Sequence, residues 1–240
     1  MVKPRLLITR FAPHGQYLAE RLSEQGIYSL AQPLLTIEPI PHLDYPFVHH
    51  YDFIIAVSAN AVEYTDLSLH NKTWPQCNYI AVGDATQHLL AEKTKQFVEV
   101  PISSFNSEGV LALPKLQQLD NRSVLILRGV GGRELLKETL LARGASVDYF
   151  ESYQRVAISL PRSMTIDKWQ QHAINGAIIS SVELLEQLII LTPDSQLNWL
   201  KTITIYAASE RILNFAYANG FVKRVLLPSI ASQDIIDYFK

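Results

Sequence analysis

An internal repeat that runs out of order constrains this chain more than any other feature. The segment Leu6-Leu7-Ile8-Thr9-Arg10, with Leu18, Leu22 and Gly26 after it, matches Val124-Leu125-Ile126-Leu127-Arg128, with Leu136, Leu140 and Gly144. Every matched position lies 118 residues further on. Two more matches share an offset of 123: Ile55-Ala56-Val57-Ser58 with Ile178-Ile179-Ser180-Ser181, and Val82-Gly83-Asp84-Ala85-Thr86 with Ile205-Tyr206-Ala207-Ala208-Ser209. Each unit reads as a strand, a tight turn and a helix. In the middle of the chain the units come in the order Ser58, Thr86, Arg128. In the other set Arg10 comes first, and Ser181 and Ser209 follow at the far end. Two similar domains produce this order if one is continuous and the other is assembled from both chain ends.

Ten apolar runs of strand length recur: 5–9, 27–34, 53–57, 79–82, 97–100, 123–127, 145–150, 177–179, 203–207 and 221–227. Helical periodicity separates most of them, as where Leu18 and Leu22 precede the C-cap glycine Gly26. Alternation of strand and helix predicts an α/β fold with parallel sheets buried on both faces. The expected division is 1–36 plus 159–240 for the discontinuous domain and 42–152 for the continuous one. Proline-bounded extended linkers fall near 37–41 and 153–158.

Composition narrows the function. With 240 residues, 48% of them hydrophobic and 18% charged, the chain has ample apolar surface to bury, which excludes a disordered protein. The 21 basic and 23 acidic residues give a net charge of −2 without a basic run, so no nucleic-acid partner is expected. Neither a signal peptide nor a membrane-spanning stretch is read. The lone Cys77 excludes an internal disulfide and suits a reducing compartment. The seven histidines are scattered, so no metal site is expected. The expectation is a soluble cytoplasmic protein.

Ligands of parallel α/β folds bind at strand-to-helix turns. Here those turns are Ser58-Ala59-Asn60, Gly83-Asp84-Ala85-Thr86, Ser180-Ser181, Ala208-Ser209 and Arg128-Gly129-Val130-Gly131-Gly132-Arg133-Glu134. Small residues let an anion approach backbone N–H groups at a helix N-terminus. The same residues also serve as ordinary N-caps. Glu134 stands where a dinucleotide fingerprint needs its third glycine, and no Gly-Lys-Ser/Thr ending is present. Arg128 and Arg133 flank the loop and can fork onto carboxylates, or pair with Glu134 or Asp84. Tyr153, on the second extended segment, can act as a general acid or be a half-buried strand tyrosine.

In the order and spacing of these segments, together with Arg143-Gly144-Ala145 and Tyr153-Gln154-Arg155, the chain resembles the uroporphyrinogen-III synthase family over nearly its whole length. The resemblance implies two flavodoxin-like α/β domains, each a five-stranded parallel sheet flanked by helices, joined by a two-stranded β ladder. It implies a reaction that needs no cofactor. Linear hydroxymethylbilane loses its hydroxyl, its terminal ring D is inverted through a spirocyclic intermediate, and the macrocycle closes as uroporphyrinogen III, a step of haem biosynthesis. Tyr153 is the implied acid. Arg10, Ser58, Ala59, Asn60, Gly83, Thr86, Arg128, Gly129, Gly132, Arg133, Ser181 and Ser209 are the expected substrate contacts. A monomer is expected, with a transient contact to the preceding pathway enzyme. Two other readings stand beside this one: a solute-binding module, disfavoured by the missing signal peptide, and a nucleotide-dependent oxidoreductase, disfavoured by Glu134.

Overall fold

The structure, a computed structural model, describes residues 3–41 and 44–240. In chain order the elements are β1 (Arg5–Ile8), α1 (His14–Glu24), β2 (Tyr28–Ala31), β3 (Leu35–Pro39), β4 (Phe53–Ala56), α2 (Ala59–Ser68), β5 (Asn78–Ala81) and α3 (Asp84–Thr94). There follow β6 (Val98–Glu99), α4 (Ser107–Leu111), a 3-10 turn (Pro114–Leu116), β7 (Ser123–Gly129), α5 (Leu135–Ala142), β8 (Ser146–Ala157) and α6 (Arg162–Gln171). The last are β9 (Gly176–Ile178), α7 (Val182–Leu191), α8 (Asp194–Leu200), β10 (Thr204–Ala207), α9 (Glu210–Ala218), β11 (Arg224–Leu226) and α10 (Ser232–Tyr238). The chain divides into two compact units, Met1–Thr36 with Val156–Lys240, and Ile37–Arg155. Among the described residues no helix is long and apolar enough to cross a membrane.

The first unit holds a five-stranded sheet in the order β11-β10-β9-β1-β2, parallel throughout. Trp169, Leu184, Leu188, Ile212 and Phe221 cover one face, and Leu18, Leu22 and Ile235 cover the other. Strand residues such as Leu6, Leu7 and Ile8 are fully buried, which explains why these short runs read as continuous apolar sequence.

The second unit holds a six-stranded sheet, β3-β8-β7-β4-β5-β6. Its five strands β8 to β6 are parallel. Val62 of α2 and Leu90 of α3 pack on one face with Ile54 and Ala56. Val110 of α4 and Leu136 and Leu140 of α5 pack on the other with Ile55, Val124 and Ile126. The sixth strand, β3, is the segment read as a linker near 37–41, and the second linker, 153–158, continues β8. Around them the Ile40 N–H donates to the Ser152 carbonyl (3.1 Å) and the Ile158 N–H to the Leu34 carbonyl (3.0 Å), the spacing of an antiparallel ladder. Pro39 lacks an N–H, and an edge strand is where a sheet tolerates that loss. His42, at the expected start of the continuous domain, lies outside the described residues.

Strand register tests the repeat directly. In the first unit Leu6 stands opposite Gly176, and in the second Val124 stands opposite Phe53. Those pairs obey the offsets of 118 (6 to 124) and 123 (53 to 176). The next pair does not. Phe53 faces Asn78 and Gly176 faces Thr204, so this strand repeats after 126 residues (78 to 204). The counterpart of Ser209 is therefore Gly83, not Thr86. Both are N-caps, of α9 and α3, whereas Thr86 sits inside the first turn of α3 and is buried.

Candidate active site

In the second unit α2 leads from β4 to β5 across one face, and α5 leads from β7 to β8 across the other. A crevice opens at the carboxyl ends of β4 and β7, where the strand order reverses. Ser58 and Tyr153 meet there. Ser58 caps α2: its extended backbone (φ −163°) lets Oγ accept from the Ala61 N–H at 3.1 Å. The Tyr153 hydroxyl lies 3.1 Å from the same Oγ.

Gly129 makes room for this tyrosine. A β-bulge at Arg128/Gly129 sets Gly129 opposite Tyr153, and the Val130 N–H donates to the Tyr153 carbonyl (2.8 Å). A Cβ on Gly129 would fall 2.4 Å from Cε2 and 2.5 Å from Cζ of the Tyr153 ring, so any larger residue must displace that ring. Tyr64 packs against the same ring, at 5.7 Å between centroids. Tyr153 is thereby buried, with its hydroxyl aimed at the cap of α2.

Arg128 is the other buried polar side chain of the crevice. It donates from Nε to the Gly129 carbonyl (3.2 Å), from Nη2 to the Gly131 carbonyl, and from Nη1 to Glu134 Oε1 (3.0 Å). Its guanidinium carbon lies 4.3 Å from the centre of the Tyr149 ring, and the Tyr149 hydroxyl donates to Glu134 Oε2 (2.8 Å). Hydrogen bonds from Tyr149 and Arg128 hold the Glu134 carboxyl below its ordinary value. Burial and the bond to Glu134 push the Tyr149 phenol up to about 12. Through the neutral range Glu134 is thus an anion and Tyr149 a donor. A pocket of about 190 Å³ opens beside this loop, and Arg128, Gly129, Gly132, Arg133, Tyr149 and Tyr153 are among its walls.

The family model described as Uroporphyrinogen-III synthase HemD matches residues 16–234. The chain belongs to this family. It is 34% identical to uroporphyrinogen-III synthase of Escherichia coli (strain K12) over 225 residues, 90% of this chain and 92% of that one. It is 34% identical to the synthase of Proteus mirabilis over 192 residues, 77% of this chain and 96% of that one. Its fold matches the crystal structure of the Helicobacter pylori 26695 protein with a TM-score of 0.62 at 15% identity, covering 99% and 98% of the two chains. A mutant synthase of Thermus thermophilus matches with a TM-score of 0.61 at 12% identity, over 98% and 97%. Uroporphyrinogen-III synthases are cyclising enzymes of the lyase class in tetrapyrrole biosynthesis.

Of the residues expected from this family, Tyr153, Ser58, Arg128, Gly129, Gly132 and Arg133 come together around the β4 and β7 ends. Arg133 is exposed and paired with Glu108 (2.6 Å), not with Glu134 or Asp84. Ala59 and Asn60 form the first turn of α2, and Gly83 and Thr86 the start of α3. A helix leaves its first N–H groups without intrahelical acceptors, so the start of α3 offers the amides of Asp84, Ala85 and Thr86. Ser181, Ser209 and Arg10 belong to the first unit. Ser181 repeats the Ser58 cap on α7, accepting from the Leu184 N–H at 3.1 Å, whereas the Ser209 side chain makes no cap bond. Arg10 donates to Ser232 Oγ (3.3 Å), and burial lowers its pKa. Sequence reasoning missed Tyr149. Its link to Arg128 depends on the β7–β8 register, which no spacing rule encodes.

Proposed function

We propose that this crevice converts linear hydroxymethylbilane to uroporphyrinogen III, with Tyr153 as the general acid. The observation that carries the reading is the Tyr153 hydroxyl set 3.1 Å from Ser58 Oγ at the carboxyl edge of a parallel sheet. The Ser58 oxygen already accepts from Ala61. Its own proton can point to the Tyr153 oxygen, which frees the phenolic proton for the substrate. A phenol stays protonated at neutral pH and so suits an acid. Tyr153 protonates the departing hydroxyl, water leaves, and the Ser58 O–H steadies the phenolate that forms. The electron-rich terminal ring then attacks the cationic methylene carbon that the departed water leaves, and the spirocyclic intermediate so formed opens and recloses with that ring inverted as the macrocycle closes.

The substrate is a flexible polycarboxylate that closes unaided to isomer I, so the enzyme must impose one folded shape. The proposed grips on its acetate and propionate groups are helix N-termini, at Ala59 and Asn60 of α2 and at Gly83 and Thr86 of α3. Ser181, Ser209 and Arg10 are proposed to act in the same way from the first unit. Gly132 and Arg133 complete the set on the glycine loop. We assign the enzyme no cofactor, and place it in the cytoplasm as a monomer that meets the preceding pathway enzyme only transiently.

The test uses enzymatically prepared hydroxymethylbilane, with the oxidised products separated as isomers. Wild-type protein is expected to give isomer III well above the spontaneous rate of isomer I. Tyr153→Phe is expected to lower kcat at least about 100-fold, within the range that general-acid catalysis supplies, with folding unchanged. Unaltered turnover by the variant would remove Tyr153 from the reaction.

A further inference from the structure

Arg128 was expected among the substrate contacts and is one of the walls of the pocket beside the loop, yet its hydrogen bonds are spent within the chain. All three guanidinium nitrogens donate to the chain's own loop: to the carbonyls of Gly129 and Gly131 and to the Glu134 carboxylate. The side chain is 6% exposed, against 51% for Glu134, so the guanidinium is buried against the loop while its carboxylate partner reaches solvent. Its flat face is stacked on Tyr149, whose hydroxyl takes the second oxygen of Glu134. Gly131 and Gly132 turn the loop through positive φ (73° and 109°), and a Cβ on Gly132 would approach Nη2 to 3.0 Å. Arginine, glycines and glutamate form one closed ring. That ring fixes the backbone of Gly129, the residue against which the Tyr153 ring lies, and the adjoining Val130 N–H holds the Tyr153 carbonyl.

We infer that Arg128 is a positioning residue: it braces the glycine loop so that Gly129 and Val130 hold the Tyr153 hydroxyl against Ser58, and it does not bind substrate. The inference rests on Tyr153 being the acid. Lysine in this place keeps the charge but carries its donors on one nitrogen, and so cannot reproduce the planar spread of Nε, Nη1 and Nη2 that reaches two carbonyls and a carboxylate. Loss of the brace lets the phenol drift, and displacements near 1 Å are enough to slow an enzyme about 100-fold.

The experiment is a double-mutant cycle of Arg128→Lys and Tyr153→Phe on the full chain, read as kcat and KM for isomer III, with thermal unfolding as the folding control. Arg128→Lys is expected to lower kcat between about 10- and 100-fold while KM stays within about twofold. In the Tyr153→Phe background the same substitution should cost less than about threefold, because no hydroxyl remains to be placed. A rise in KM at unchanged kcat would make Arg128 a substrate contact and overturn the inference. So would equal losses in both backgrounds, or no loss. Failure of the underlying reading shows separately, as a Tyr153→Phe single variant with wild-type turnover. Should Arg128→Lys not fold, Tyr149→Phe removes only one hydroxyl from the ring and repeats the cycle. A smaller kcat loss that again disappears without the Tyr153 hydroxyl supports the inference, and wild-type kcat overturns it.

Discussion

Gly129 shows how one residue type can be required by a neighbour rather than by its own backbone. Its position in a strand needs no special φ, and the sequence marked it as part of a loop rich in glycine and, through the family resemblance, as a substrate contact. What any larger residue must displace is the Tyr153 ring, within 2.5 Å of where a Cβ would be. Gly129→Ala should therefore displace the ring, at a stability cost of about 1–3 kcal/mol from overpacking. Isomer III formation should fall as far as in Tyr153→Phe. Calorimetry and the isomer assay together check this, and a variant with native turnover would show that the ring is not held where it must act. Gly131 and Gly132 differ from Gly129 in being legible, because paired glycines in a turn announce positive φ. Arg128 was half legible. Its pairing with Glu134 stood among the alternatives, but burial, the two loop carbonyls and the Tyr149 stack belong to the tertiary fold.

Elements were legible where apolar runs were long enough and ambiguous where caps look alike. All ten runs lie on strands. The two proline-bounded segments read as extended linkers form the two-stranded ladder that the family resemblance implied, but their own residues gave no register, because such short extended segments carry none. The three-residue slip between Thr86 and Ser209 has a similar origin. Serine, threonine and glycine are interchangeable at a cap, so a short turn gives no unique alignment, and only the facing register decides it. Register between the sheet's central strands is itself pinned by one side chain. Asp52, just before β4, accepts from the Ser123 N–H (2.8 Å), the Ser123 hydroxyl (3.1 Å) and Arg122 (2.8 Å) at the start of β7. The Ser123 backbone bond, then Arg122, lowers its pKa. A carboxyl with a depressed folded pKa stabilises above its unfolded pKa near 4, and the gain disappears as pH falls through the folded value. Asp52→Asn should cost about 1 kcal/mol at pH 7, as a pair with one exposed partner warrants. Denaturant titrations should show that difference shrinking below pH 4 and vanishing in stronger acid; a pH-independent difference would mean that packing, not charge, is lost.

For the whole molecule, the out-of-order repeat has a simple structural meaning. In repeat terms β7, β8, β4, β5 and β6 correspond to β1, β2, β9, β10 and β11. The sheet orders β8-β7-β4-β5-β6 and β2-β1-β9-β10-β11 are then the same arrangement, cut at different points of the chain. One unit is a circular permutation of the other. Such a cut is tolerated where chain ends lie close together, and the first unit has that property at its own break: the Ile158 N–H donates to the Leu34 carbonyl at 3.0 Å. Its sheet and both covering helix layers are drawn from residues of that unit alone. Replacing residues 37–155 with about four Gly/Ser residues, a length such a flexible linker spans easily, should therefore leave a folded domain. The shortened chain, 36 residues plus 85, falls in the ordinary range for a single domain. It should unfold in one cooperative thermal transition, with native near-ultraviolet dichroism from Trp169 and Trp199 and no isomer III activity, since Tyr153 is gone. Strong dye binding with a flat near-ultraviolet spectrum would identify a molten globule. In that event the first unit would depend on the inserted one to fold, and the permutation would record ancestry without independence.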